Sequence, residues 1–522
     1  MRIVLAEEMR NLDQRAGTQY GLPGLLLMEN AGHAVAEAAC SMLGGCRDKK
    51  IVILAGKGSN GGDGSGAGRW LVNGGARVCL VLTGRPEDLT GSAAEELQYY
   101  LSAGGSFLAW NQEDTGQIET VKRAIAGADL VIDALLGTGF AGELRPAFRT
   151  LCQAVNAADA RVLAVDIPTG VNADDGRCDR DAVRADVTVT MALPKQGLYL
   201  YPGVIHAGEV RTADIGMPKP MLSEEEGDRF VITEELVRDL LPLRPKNMHK
   251  GAAGRVTLAA GSEGYIGAAA LSGFAAVKGG AGLVTLLTPA GARPLLAVKL
   301  TEVMVKSLPQ TGTGGLSPDA ADLLIDESKD GDVLAIGPGL GTSEETQTVV
   351  RQALLETQLP CVIDADALTA LQGHADLLLH MAAEKVLTPH PGEMARLTGL
   401  TVAQVEKDRV ETAKAFARQW QCVLVLKGVP TVVADPDGTV YLNPTGNPAM
   451  ATGGCGDVLT GLLAALMAQG MPAIDAAVSA VYLHGLAGDL AAGGSVGLAA
   501  SELSAKLPEA RKLVQGDLRT VL

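Results

Sequence analysis

The sequence predicts an α/β protein of two three-layer α/β/α domains, and three observations lead there. Short β-branched runs alternate with helical stretches, the alternation breaks once near the middle, and aromatic residues make up only 3% of the chain. Strand followed by helix, repeated, implies a parallel sheet covered by helices on both faces. The 65 glycines supply tight connections between layers packed from Ala, Val and Leu.

In chain order, the first half offers strands at 51–55, 77–82, 129–133, 161–166 and 185–190. Several end in an acidic or glycine-rich turn, and in open α/β sheets ligands bind at the carboxyl ends of the strands. Around 214–220 the pattern breaks in prolines and a glycine, and the acidic run 223–228 follows. That composition marks a linker at 217–228 between domains at 1–216 and 229–522. The second half restarts the alternation at 254–261, 282–287, 332–336, 361–364, 385–388, 422–426 and 431–433. Its glycine loops differ from those of the first half and fall at other points, so the halves are not two copies of one unit.

A net charge of -16 excludes a general binder of nucleic acid or anionic membranes, which needs a basic surface. It leaves room for a nucleotide, for which local N–H groups and one or two lysines suffice. No apolar run is long enough to span a bilayer: 458–468 is short, and Lys278 interrupts 271–287. Acidic residues occupy the start where a signal peptide carries its apolar core, so a cytoplasmic location is expected. The eight cysteines are scattered without a C-x-x-C pair and the seven histidines form no metal-spaced cluster, which favours free thiols over disulfides or zinc.

The most informative stretch is 447–461, Asn-Pro-Ala-Met-Ala-Thr-Gly-Gly-Cys-Gly-Asp-Val-Leu-Thr-Gly. It reads as a tight loop opening an Ala/Leu-rich helix, a place where backbone N–H groups meet phosphate. Asp457 then stands where a substrate hydroxyl could lose its proton to a carboxylate. The plain alternative is that Asp457 caps the helix and the glycines only turn. Four further features follow predicted strands and so share one sheet edge: 337–341 (Gly-Pro-Gly-Leu-Gly), Asp364 with Asp366, His390 with Glu393 between prolines, and 427–431 (Lys-Gly-Val-Pro-Thr). Each also has a structural reading, as turn, cap or solvated lysine.

Together with Lys250-Gly251 and 484–489, these stretches resemble the ribokinase-like superfamily, and within it the NAD(P)H-hydrate dehydratases. The resemblance implies that ADP or ATP drives removal of water from hydrated NADH or NADPH. Asp457 would deprotonate the hydrate hydroxyl, which takes the terminal phosphoryl group, and phosphate then leaves. It further implies that Lys427, Gly428, Val429, Pro430, Thr431 and Gly456 hold the nucleotide. Gly339, His390 and Asp457 would hold the hydrate, with Mg²⁺ bridging the phosphates.

In the first half, 56–64 (Gly-Lys-Gly-Ser-Asn-Gly-Gly-Asp-Gly) follows a strand and reads as a phosphate-cradling loop without dinucleotide or P-loop spacing. Asp133 and Asp166 end strands, and either caps a helix or serves acid/base or cation-binding chemistry. With Met9–Asp13 and Leu27–Gly32, residues 1–216 resemble the NAD(P)H-hydrate epimerases and so a Rossmann-like fold. The family more often has Asn where Ser59 stands and Ser where Thr169 stands; both replacements keep an oxygen. The resemblance implies that Ser59, Asn60, Gly61, Gly62, Asp63, Gly137, Thr138, Gly139, Phe140, Ala141, Gly142 and Asp166 bind the hydrate. Asn60, Asp133 and Thr169 would hold K⁺, and Asp166 would shuttle a proton between R and S hydrates, or only position the substrate. Homo-oligomers are expected, and 459–468 offers a low-charge face for one unless it is a core helix.

Two other readings remain at this point. One is a small-molecule kinase of the ribokinase-like superfamily joined to a Rossmann-like binding domain. The other is a first half that senses or scaffolds without catalysis.

Overall fold

The computed structural model describes residues 1–111, 113–223 and 227–516, and divides into two units, Arg2–Arg229 and Phe230–Leu522 with Met1. Among the described residues the first unit holds a seven-stranded sheet. Its strands are β1 (Lys50–Ala55), β2 (Arg77–Leu82), β3 (Ser106–Ala109), β4 (Leu130–Ala134), β5 (Arg161–Val165), β6 (Val187–Met191) and β7 (Glu209–Ala213). The spatial order is β3-β2-β1-β4-β5-β6-β7, and every pairing is parallel. This is the doubly wound order, with its switch point between β1 and β4.

Alternate residues of β1 explain the three layers. Ile51, Ile53 and Ala55 enter a core shared with helices Ala6–Tyr20 and Gly24–Leu43, while Val52 and Leu54 enter a second core with helices Thr115–Ala126 and Pro146–Asn156.

The second unit holds β8 (Arg229–Val231), β9 (Arg255–Ala259), β10 (Leu283–Pro289), β11 (Met304–Leu308), β12 (Val333–Ile336) and β13 (Cys361–Ile363). β14 (Lys385–Leu387), β15 (Val423–Leu426), β16 (Thr431–Ala434) and β17 (Val440–Asn443) complete it. Their order is β11-β10-β9-β12-β13-β14-β15-β16-β17-β8, with a switch point between β9 and β12. β9 to β15 pair in parallel, and β15-β16-β17 turn antiparallel. Every residue of β12, β13 and β15 is buried, as strands covered on both faces must be.

Three expectations change. The segment 59–64 is not a loop: it is the opening of helix Ser59–Asn73, with its glycines inside the packing. The face 459–468 is core, since Val458 to Ala468 are all buried within helix Cys455–Ala468, and so it is closed to a partner. Within the stretch read as a linker, Met217 and Met221 are buried in the first unit's core, while Glu224–Glu226 lie outside the described residues. All eight cysteines are free.

Candidate functional site

Two sites emerge, one per unit. In the first unit the switch point opens into a cavity of about 1340 Å³ lined by Asp13, Ser59, Asn60, Asp63, Asp166, Lys195 and the Gly137–Ala141 loop, among others. The β1–helix turn and the turn after β4 flank this opening, as the strand order requires. Gly61, Gly62 and Gly142 do not line it. A Cβ on Gly61 would stand 1.9 Å from the Gly56 carbonyl oxygen, so this glycine lets the first helical turn close on the strand end.

Asp166 takes a left-handed backbone, φ 63°, which a non-glycine residue adopts only when its surroundings hold it there. Those surroundings are specific. Its Oδ1 accepts Lys195 Nζ at 2.5 Å, Thr190 Oγ1 at 3.1 Å and Met191 N at 3.1 Å. Lys195 is 1% exposed and also donates to Met191 O at 3.0 Å. Asp63 is buried without a side-chain hydrogen bond among the described residues; burial, then Asp166 and Asp13, push its carboxyl well above the usual range, with Lys195 opposing. Asp13 is raised to about 6 as protein withdraws it from water, with Lys195 opposing.

Asp133 and Thr169 are fully buried beneath this floor. Thr169 Oγ1 donates to Asp133 Oδ1 at 2.7 Å, and Thr169 N donates to Oδ2 at 2.7 Å. Burial raises Asp133 to about 6 against those bonds. Neither Asp133 nor Asp166 caps a helix. Asn60 donates to Leu136 O at 3.1 Å, beside the backbone N–H of Leu136 that donates to Thr169 Oγ1. The set Asn60, Asp133 and Thr169 thus offers only oxygens, a donor chemistry that fits a hard monovalent cation.

In the second unit, the carboxyl ends of β13, β14 and β15 bring Asp364, His390 with Glu393, and Lys427 to the start of helix Cys455–Ala468. Lys427 Nζ donates to Asp364 Oδ1 at 2.8 Å and lies 3.8 Å from Glu393 Oε2. Thr460 Oγ1, one helical turn after Asp457, donates to Asp364 Oδ2 at 2.7 Å. Burial works to raise Asp364, but Lys427 and the two donated bonds hold it below its ordinary value. Burial likewise disfavours the Lys427 ammonium, and Asp364 and Glu393 raise it in return. The lysine is therefore an anchored cation, not a solvated strand end.

Asp457 does not cap its helix: the cap position is Gly454, at φ 96°, and no side chain bonds there. Burial, then Asp364, raise Asp457 to about 7, with Lys427 opposing and Asp366 and Glu393 adding. A Cβ on Gly456 would lie 3.4 Å from Lys427 Nζ, so Gly456, Asp457 and Lys427 share one small space. His390 caps helix Pro391–Thr398: its Nδ1 accepts Gly392 N and Glu393 N, and Glu393 accepts His390 N. Burial, Lys427 and Arg396 keep the imidazole below its usual pKa.

Gly339 lies at φ 65° in the turn after β12, its carbonyl accepting Ser262 Oγ at 2.8 Å. Gly341 N in that turn donates to Asp366, tying it to the carboxylate cluster. Gly428 carries φ 146° beside Arg409, whose guanidinium donates to the carbonyls of Leu426, Lys427 and Pro430. Thr431 Oγ1 donates to Gly428 O at 3.2 Å, and Val429 is exposed. Among the described residues, no group of three or more His, Cys, Asp or Glu is placed to hold a metal ion. A separate cavity lined by Gln347, Thr369 and Arg396 contains none of the expected residues.

Sequence reasoning missed Lys195 and Thr460. A lysine after a strand was the only signal for the first. The helical spacing from Gly456 to Thr460 was the signal for the second. His484, in the stretch 484–489 that carries part of the resemblance, acts as a support: its Nε2 pairs with Cys455 O at 2.8 Å, behind the loop.

The NAD(P)H-hydrate dehydratase family matches residues 256–509, and the family described as YjeF-related protein N-terminus matches residues 24–197. The bifunctional NAD(P)H-hydrate repair enzyme of Moorella thermoacetica is 44% identical over 526 residues, covering 100% of this chain and 99% of that protein. The Escherichia coli protein of the same name is 34% identical over 505 residues, covering 96% of this chain and 92% of that one. A solved structure of the ADP/ATP-dependent NAD(P)H-hydrate dehydratase from Bacillus subtilis, co-crystallised with ATP and Mg²⁺, is 37% identical. It covers 55% of this chain and 98% of that one, with a TM-score of 0.48. Two complementary family matches and full-length relatives at this identity place the chain in the family of bifunctional NAD(P)H-hydrate repair enzymes.

Proposed function

We propose that the protein repairs hydrated NADH and NADPH, epimerising the R and S hydrates in residues 1–216 and dehydrating the S form in residues 229–522. The observation that carries the dehydratase half is Asp457, a carboxylate without a side-chain hydrogen bond among the described residues, at a helix N-terminus beside the anchored ammonium of Lys427. Asp457 takes the hydrate's hydroxyl proton, and the oxygen attacks the terminal phosphoryl group of ADP, giving AMP. Phosphate leaves with the ring nitrogen's lone pair assisting, the neighbouring ring carbon gives up a proton to solvent, and the reduced nicotinamide is restored. Lys427, Gly428, Val429, Pro430, Thr431 and Gly456 hold the nucleotide; Gly339 and His390 hold the hydrate. The Lys427 cation offsets charge on the phosphate. Mg²⁺ would reach the protein with the nucleotide phosphates.

In the epimerase half, the cavity takes the hydrate against Ser59–Asp63, the Gly137–Gly142 loop and Asp166. Asn60, Asp133 and Thr169 would hold K⁺, whose charge compensates buried oxygens there. The scattered free cysteines support a cytoplasmic location, and we expect a homo-oligomer.

The test is the fate of phosphate with purified S hydrate and ADP. AMP and free phosphate in equal amounts to NADH support the reading. A stable phosphorylated product would restore the kinase alternative.

A further inference from the structure

We propose that Asp63 is the general acid of epimerisation and Asp166, pinned by Lys195, its base, the two acting on opposite ends of one carbon–nitrogen bond. This rests on the epimerase reading above and assigns the chemistry within it.

The hydroxyl-bearing carbon of the hydrate is bonded to the ring nitrogen, so it is a hemiaminal. Inverting it by ring opening needs a group to take the hydroxyl proton and another to give a proton to nitrogen. Asp166 suits the first role. Its Oδ1 accepts Lys195, Thr190 and Met191 N, which fixes the carboxylate in place and leaves Oδ2 outside that set. Lys195 does not suit the second, because its ammonium is already spent on Asp166, Thr190 Oγ1 and Met191 O.

Asp63 lines the same cavity, is only 8% exposed and makes no side-chain hydrogen bond among the described residues. A carboxyl buried without a donor aimed at it favours the neutral form, which carries a proton to give. The charged groups that act on it are Asp166, Asp13, Lys195 and Glu96; three of the four are acidic and reinforce protonation.

The step balances without a redox partner. Asp166 takes the hydroxyl proton, the O–H pair becomes the carbonyl bond, and the carbon–nitrogen bond breaks. Its electron pair goes to nitrogen, which takes the Asp63 proton. Rotation about the adjacent carbon–carbon bond presents the other carbonyl face. Nitrogen then re-adds, Asp63 recovers its proton, and Asp166 returns the other to oxygen.

The experiment uses the full chain and purified R-NADH hydrate. For Asp63→Asn we expect R-to-S kcat to fall at least about 100-fold with KM nearly unchanged, and Asp63→Glu to recover part of it. Dehydration of S hydrate by the same variant stays intact. In the unmodified protein, kcat must fall on an alkaline limb as Asp63 ionises. A flat alkaline profile would overturn the proposal whether or not the variants fold. So would a rise in KM at unchanged kcat, which makes Asp63 a holding group, or a kcat within about threefold of the parent. If the unmodified chain fails to convert R to S, the epimerase function itself falls, and that outcome is distinct.

Discussion

Asp457→Asn is expected to stabilise the second unit while it abolishes dehydration, and the structure sets the size and the pH window. Folding raises this carboxyl from 3.8 to about 7, first through burial and then through Asp364. The folded unit therefore binds a proton more tightly than the unfolded chain. The associated stability is fully present below the unfolded value and is lost as pH rises through about 7. Three units at about 1.4 kcal/mol each give a ceiling of about 4 kcal/mol for holding the ionised form above neutrality. Screening at this partly exposed position reduces that to about 2 kcal/mol. Asparagine has the same shape and never ionises. The variant should melt about 3 °C higher than the parent at a pH of about 8, with the gain gone by a pH of about 4. Trp420, buried in the second unit, reports the transition once Trp70 and Trp110 are replaced by Phe. A variant that melts at or below the parent at the higher pH, or gains equally at the lower one, would refute the reasoning.

Other consequences follow from the same contacts. Dehydration should rise with pH through about 7 as Asp457 ionises, and Asp364→Asn should move that midpoint down by removing a negative neighbour, read from the pH–rate profile. Asp364→Ala leaves the Lys427 ammonium without its 2.8 Å partner and should cost the second unit about 3 kcal/mol in a denaturant titration. Gly61→Ala drives a Cβ to 1.9 Å from Gly56 O and should destabilise the first unit by about 3 kcal/mol, measured by calorimetry, with dehydration spared. Asp133→Asn should raise the K⁺ concentration for half-maximal epimerisation about tenfold; an unchanged value would remove Asp133 from the ion site.

The strands that pattern analysis found are the buried ones. Those it missed include the exposed edges β3, β7 and β11, besides the short buried strands β8 and β17. An edge such as Met304–Leu308 or Ser106–Ala109 is half exposed, so its sequence lacks the apolar run that marks β1 or β12. The site was legible where a motif sits on a strand end, as with Asp364 and Lys427, or opens a helix, as with Asp457, because the topology gathers these ends on one edge. It was not legible where the partner arrives from elsewhere in the chain. Nothing local announces that Thr169 closes on Asp133, or that Lys195 folds back onto Asp166. The opening of helix Ser59–Asn73, residues 59–64, reads as a loop because glycine disfavours helices, yet these glycines admit close packing that side chains would forbid.

The central claim is one chain that repairs both epimers. It is tested by following the near-ultraviolet absorbance of NADH on adding the purified protein and ADP, or ATP, to an equal mixture of R and S hydrates. We predict recovery of the whole mixture with at least one nucleotide, an unrecovered R half for Asp166→Ala, and no recovery for Asp457→Asn. Recovery that stops at half with the unmodified protein would contradict the epimerase assignment, and no recovery with either nucleotide would contradict the dehydratase.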